Sequence, residues 1–181
     1  VHSIQMLQWV RKGTSDIARI GFAMGQKGTC SRLLTTVFGA PITYASFGDA
    51  VAPGQLSMDV LLSCYRVPEL KDGCLIYGVA GKDVHHSREL EVMNQQLKKK
   101  QLNVVCIPLE CLDLDELLAV MEDLNIKGVQ LEDPLKEIAI DKFSGSGSFP
   151  GTSVYMEISS VHGKQEIHFH PISGEKFFEH L

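Results

Sequence analysis

Residues 21–55 read GFAMGQKGTCSRLLTTVFGAPITYASFGDAVAPGQ, and this stretch decides how the chain is built. An apolar run of strand length, Ile20-Gly21-Phe22-Ala23-Met24, leads into a Gly25-Gln26-Lys27-Gly28 turn. Helix-like spacing follows over residues 31–38, stopped by Gly39. A second run rich in β-formers, Ile42-Thr43-Tyr44-Ala45-Ser46-Phe47, leads into Ala52-Pro53-Gly54-Gln55. Strand, turn, helix, glycine stop and strand is the rhythm of a parallel βαβ unit. Chemistry in such units collects where strands end and loops begin. Gly25, Lys27, Gly28, Ser31 and Arg32 follow the first predicted strand, and Pro53, Gly54 and Gln55 follow the second. Both loops are therefore expected to open on one face, where Arg32 and Gln55 can hold an oxygen-rich anion.

Toward the N-terminus, Ile4, Leu7 and Val10, with Met6 and Trp9 beside them, have helix spacing up to a break at Lys12-Gly13-Thr14. On the other side, residues 56–62 predict a helix continuing toward Tyr65. The connector Arg66-Val67-Pro68-Glu69-Leu70-Lys71-Asp72-Gly73 is polar and holds both Pro and Gly, which places a domain boundary there. The expected domains are residues 1–70 and 74–181. The second restarts the period with a buried-strand run at 74–81. A helix over 90–97 then runs into Lys98-Lys99-Lys100, read as a solvated helix end favourable to the dipole. Strands are predicted at 102–109 and 126–131, separated by an acidic-fronted helix over 113–124 with Asp113 as N-cap. This alternation predicts an α/β unit with a largely parallel sheet. Residues 144–148, SGSGS, read as a flexible turn or linker. Residues 154–158 and 165–169 read as a hairpin around His162-Gly163-Lys164.

Of the 181 residues, 44% are hydrophobic and 22% charged, an ordinary globular composition. A net charge of −5 and a pI near 5.8 exclude the basic footprint of a nucleic-acid binder. No apolar run approaches the ~20 residues of a membrane span, and no signal-peptide pattern opens the sequence. Neither nucleic acid nor membrane is an expected partner. Cys30, Cys64, Cys74, Cys106 and Cys111 are odd in number and form no C-x-x-C pair, which points to reduced intracellular thiols. His85 and His86 are adjacent on a loop and diverge. His168 and His170 share a strand face, but with His162 and His180 they offer no cysteine and no clear third ligand, so no metal is expected.

The block Met24-Gly25-Gln26-Lys27-Gly28-Thr29-Cys30-Ser31-Arg32-Leu33 resembles the Met-Gly-x-x-Gly-x-x-Ser-Arg-Leu signature of type I 3-dehydroquinate dehydratases. Val51-Ala52-Pro53-Gly54-Gln55 resembles their Ser-Ala-Pro-Gly-Gln, with Val51 at the serine. The resemblance implies that residues 1–70 are the C-terminal piece of a (β/α)8 barrel. It also implies that Arg32 binds a substrate carboxylate and Gln55 its hydroxyls.

Farther on, Tyr77-Gly78-Val79-Ala80-Gly81-Lys82-Asp83-Val84-His85-His86-Ser87 is similar to the opening of shikimate dehydrogenases, Tyr-Gly-x-x-Gly-x-Pro-x-x-His-Ser-x-Ser-Pro. Met93-Asn94 falls where that family has His-Asn. The resemblance implies that Ser87 holds a substrate carboxylate, with Glu89 at the second serine. Gly128-Val129-Gln130-Leu131-Glu132-Asp133-Pro134-Leu135-Lys136-Glu137 matches the family's Gly-x-Asn-Val-Thr-x-Pro-x-Lys-Glu. This implies that Lys136 is the catalytic lysine, and it puts Glu132 at a substrate-contacting threonine. The family's further asparagine and aspartate fall on Tyr155 or Met156 and on Pro171 or Ile172, which cannot do the same hydrogen-bonding or acid–base work. No G-x-G-x-x-G follows a strand, so a Rossmann domain is expected to be absent. The imine-forming lysine and general-base histidine of the dehydratase are expected outside these residues.

Dehydratase end followed by dehydrogenase beginning resembles the bifunctional 3-dehydroquinate dehydratase/shikimate dehydrogenases of chorismate biosynthesis. The expectation is a junction fragment, α/β in fold, that is inactive alone. The implied substrate is a small carboxylated cyclohexene or cyclohexane ring. NADP is the implied cofactor of the parent enzyme, with none expected for this chain alone. Unpaired strand edges open a route to self-association. The expected location is cytoplasmic, or plastid in a plant. The alternative is a non-catalytic binding or regulatory module that kept the scaffold and lost the chemistry.

Overall fold

The computed structural model describes residues 2–14, 16–143, 154–161 and 164–171. Five strands form one sheet in the order β2-β1-β3-β4-β5. β1 (Leu75–Gly81) lies between β2 (Val104–Glu110) and β3 (Ile126–Leu131) and runs parallel to both, with Tyr77 opposite Cys106 and Gly128. β4 (Val154–Val161) and β5 (Lys164–Pro171) continue the sheet antiparallel. They are the expected hairpin. The centre of its turn and the 144–148 stretch lie outside the described residues. Strands 1–3 are nearly continuous apolar runs, as strands covered on both faces must be. Val79, Ala80, Cys106, Ile107 and Val129 have no accessible surface.

The helices of this half follow from local chemistry. α3 (Arg88–Lys99) starts on Glu89 and Glu91 and ends on Lys98 and Lys99, matching the helix dipole at both ends. α4 (Leu114–Leu124) is capped by Asp113, whose carboxylate accepts the Glu116 N–H at 2.7 Å. It ends on Asn125 in the left-handed region. The sequence reading assigned no element to residues 135–143, where α5 (Leu135–Phe143) forms. That helix is short, and its inward face rests mainly on Leu135 and Ala139, too few positions for a clear period.

Residues 2–70 are mostly helical where they are regular. α1 (His2–Arg11) and α2 (Thr29–Val37) flank a 3-10 turn at Gln26–Gly28, and a wide helical turn spans Val60–Cys64. Gly39, at φ 98°, ends α2 as expected. The two strands predicted at 20–24 and 42–47 do not form ladders. Among the described residues their sole strand-type pairing is the Ser46–Ser57 bridge. β-Propensity is realised only against a neighbouring strand, and none lies beside them. α1 packs on α2 and α4, α2 packs on β2, and the 60–64 turn packs on α3. Leu7, Leu33, Leu34, Leu61 and Tyr65 therefore join the same core as the sheet.

This arrangement closes the outer edge of β2. The Leu75 N–H bonds to the Asn103 carbonyl, so residues 102, 104 and 106 turn their backbone groups away from β1. Buried Arg66 donates through one Nη to the carbonyls of Leu102 and Val104, at 3.3 and 3.1 Å. Asn94 on α3 donates to the Cys106 carbonyl at 2.8 Å and accepts the Cys106 N–H at 3.1 Å. Pro108, next in the outward series, has no N–H to satisfy. Asn103 ties down the connector by accepting the Lys71 N–H at 2.9 Å. The connector read as a polar link is a built corner against the sheet edge.

Candidate functional site

β1 has β2 on one side and β3 on the other, although both follow it in sequence. This is a topological switch point, and open α/β sheets bind ligands outside the carboxyl ends of strands at such points. A cleft of about 410 Å³ opens there, lined by Lys82, Asp83, Glu89, Gln130, Leu131, Glu132, Asp133 and Lys136. Lys82 and Asp83 follow β1, Glu89 sits in the first turn of α3, Glu132 and Asp133 follow β3, and Lys136 opens α5. Gly81 allows this closeness, since a Cβ there would lie 3.0 Å from the Glu132 Cβ.

Ser87 is the residue just before α3, where a serine usually caps its own helix. Its hydroxyl instead donates to Glu132 Oε1 at 2.5 Å, a charge-assisted contact. Ser87 and Glu132 are thus brought together at the cleft that also holds Glu89 and Lys136. Around that cleft, four carboxylates stand against two ammonium groups. Tyr155 and Met156 are buried in β4. The Tyr155 ring packs over Gly128, whose missing side chain makes room for it. Ile172 lies outside the described residues, as do the side chains of His162, His170 and His180.

A second polar locus lies in the first half. Arg32 is buried, with its guanidinium carbon 4.3 Å from the centre of the Phe22 ring and Nη2 3.3 Å from the Met24 sulfur. Burial pushes its pKa down from the usual value. Its Nε is buried without a hydrogen-bond partner among the described residues. The two flanking loops are clasped: the Gly25 N–H donates to Pro53 O at 3.2 Å, and Thr29 Oγ1 donates to Gly54 O at 3.2 Å. Gly54 sits at φ 74°, and a Cβ there would strike the Gly25 carbonyl. Gln55 spends its side-chain oxygen on the Val51 N–H at 3.0 Å. No hydrogen bond joins Gln55 to Arg32 among the described residues.

His85 pairs with Glu110 at 3.2 Å, on the β2 side of β1. His168 Nε2 meets Ser159 Oγ at 2.9 Å. The sequence reading missed Gln130, Lys82, Asp83 and Asp133 as cleft residues. Gln130 stands at the motif's asparagine and was the one signal available. Nothing local marks the other three.

The fold is α/β, with a cleft at the switch point of its sheet. Residues 2–72 match the family Type I 3-dehydroquinase. The chain is 30% identical over 128 residues to the chloroplastic bifunctional 3-dehydroquinate dehydratase/shikimate dehydrogenase of Arabidopsis thaliana, covering 70% of this chain and 21% of that protein. It is 43% identical over 69 residues to the 3-dehydroquinate dehydratase of Methanocaldococcus jannaschii, covering 38% of this chain and 30% of that one. Among solved structures, the S. pombe AroM dehydroquinate dehydratase and shikimate dehydrogenase aligns with a TM-score of 0.42 and 24% identity, over 84% of this chain and 29% of that one. The similarity to the bifunctional protein extends beyond the residues that match the type I 3-dehydroquinase family. It spans about a fifth to a third of the length of these relatives.

Proposed function

We propose that the chain is the junction segment of a bifunctional 3-dehydroquinate dehydratase/shikimate dehydrogenase-type protein that by itself catalyses neither step. Residues 1–70 would derive from the last part of the dehydratase barrel, and residues 74–181 from the dehydrogenase's substrate domain. The observation that carries the reading is the Ser87–Glu132 hydrogen bond. The hydroxyl expected to grip a substrate carboxylate is already held by a carboxylate. Glu89 lines the same cleft. At an effective dielectric near 20, one like-charge pair at ~4 Å costs about 4 kcal/mol, roughly a thousandfold in affinity. Lys136 falls at the position of the dehydrogenase lysine, but Tyr155 and Met156, both buried, stand where that family's asparagine would be.

The dehydratase half supports the same reading. Arg32, stacked on Phe22 with an unpartnered Nε, keeps the donor for a carboxylate oxygen, and Gln55 would supply the hydroxyl contact once released from Val51. Imine catalysis needs a desolvated amine, whereas Lys12, Lys27 and Lys71 are all exposed. NADP, implied by the dehydrogenase resemblance, does not fit the turn after β1. The space at Gly81 is closed by Glu132 and Val84, and the first turn of α3 is acidic where a pyrophosphate needs donors. The substrate of the parent protein would be a small carboxylated ring, and its location the cytoplasm or a plastid. No helix among the described residues is long and apolar enough to cross a membrane.

Calorimetric titration with shikimate tests the reading. The native chain should show no binding, whereas Glu89→Ser together with Glu132→Thr should gain it by frees of two like charges and of Ser87. Micromolar binding by the native chain, or no gain in the double variant, would falsify the placement of these carboxylates against the ligand.

A further inference from the structure

We infer that the switch-point cleft takes a small hydroxylated primary amine, of the amino-sugar or aminocyclitol class, with its ammonium on Glu89 and Glu132 and a hydroxyl on Gln130. The inference rests on the reading above that the cleft has turned away from carboxylated rings. Asp83, Glu89, Glu132 and Asp133 outnumber Lys82 and Lys136 around the cleft, so the surplus charge favours a cation. The Ser87 hydroxyl fixes Glu132 through Oε1 and leaves Oε2 to accept from an ammonium.

Gln130 supplies the independent observation. It lies on β3, is only 3% exposed, and lines the cleft. Its side-chain amide makes no hydrogen bond to another protein group among the described residues. Neither amide atom is among the buried side-chain atoms left without a partner, so both reach the solvent of the cleft. There a ligand hydroxyl, which both donates and accepts, can take the place of water at either end. Lys82 can donate to a further hydroxyl oxygen. A volume of about 410 Å³ suits one six-membered ring. Ammonium and hydroxyls on one ring are what this set of groups recognises together.

The test is calorimetric titration of the whole chain with D-glucosamine, myo-inositol and shikimate as probes. D-Glucosamine should bind, myo-inositol at least tenfold more weakly, and shikimate not at all. Glu89→Gln with Glu132→Gln should weaken D-glucosamine at least tenfold, and Gln130→Leu should weaken it while shikimate still fails to bind. Glu89→Gln alone, at a half-buried site in the first turn of α3, keeps the test valid if the double variant misfolds; it should still weaken D-glucosamine several-fold. D-Glucosamine that fails to bind, or binds the charge variants equally well, overturns the inference. Silence from all three probes sinks the amine ligand and leaves the loss of shikimate standing, whereas micromolar shikimate binding brings down the underlying reading.

Discussion

Asn94 holds three backbone groups at once: the Leu90 carbonyl in its own helix at 3.0 Å, and both the N–H and the carbonyl of Cys106 on β2. It stands in for one residue of a missing neighbouring strand. With only 1% of its surface exposed, water cannot replace it. Asn94→Ala would leave the two Cys106 groups buried and unpaired, at ~1–3 kcal/mol for each such group. A loss of about 2–4 kcal/mol by urea denaturation is expected, and a loss under 0.5 kcal/mol would show that the edge is hydrated. The motif resemblance reached this position but not its work, because an asparagine's partners are set by which strand edge comes to face it. Ser87 and Lys136 were legible in the same way, as motif positions. That Ser87 would bond Glu132 depends on two loops 45 residues apart.

At the scale of elements, the second half was legible because each signal is local. Asp113 caps α4, Asn125 ends it, and the three parallel strands are unbroken apolar runs. The first half was less so, since residues 20–24 and 42–47 have strand composition without a partner, and pairing is non-local. Residues 66–73 read as a polar connector in the sequence, and their packing as a corner was not legible because Arg66 looks solvated until Leu102 and Val104 are placed beside it. Cys64 and Cys74 flank that corner, and burial raises both thiols from 9.0 to about 11. Between these values the unfolded chain gives up protons that the folded chain keeps. Their contribution to stability is therefore fully present below pH ~9 and is lost as pH rises through about 11. The melting temperature should fall over that window, and Cys64→Ser with Cys74→Ser should flatten the fall. An unchanged slope in the double variant would remove the thiols as its cause.

At the scale of the whole molecule, exposed apolar surface is unevenly spread. Among the described residues, eleven of the thirteen exposed large hydrophobics, from Trp9 to Leu62, precede residue 70, and only Leu112 and Ile138 follow it. Phe47 is 95% exposed and Val51 86%. The sheet's β2 edge is closed by Arg66 and Asn94, so backbone pairing there is not the route to association. The apolar side chains of the first half are a better one, because contiguous exposed apolar surface drives association. Self-association of the isolated chain is expected to grow with concentration and with sulfate, which strengthens apolar burial. Phe47→Ser with Val51→Ser should lower it without lowering stability, since neither residue belongs to the core. Sedimentation velocity across a hundredfold range of concentration reads the outcome. A single monomeric boundary throughout, or oligomers indifferent to the double substitution, would rule out this face as the contact.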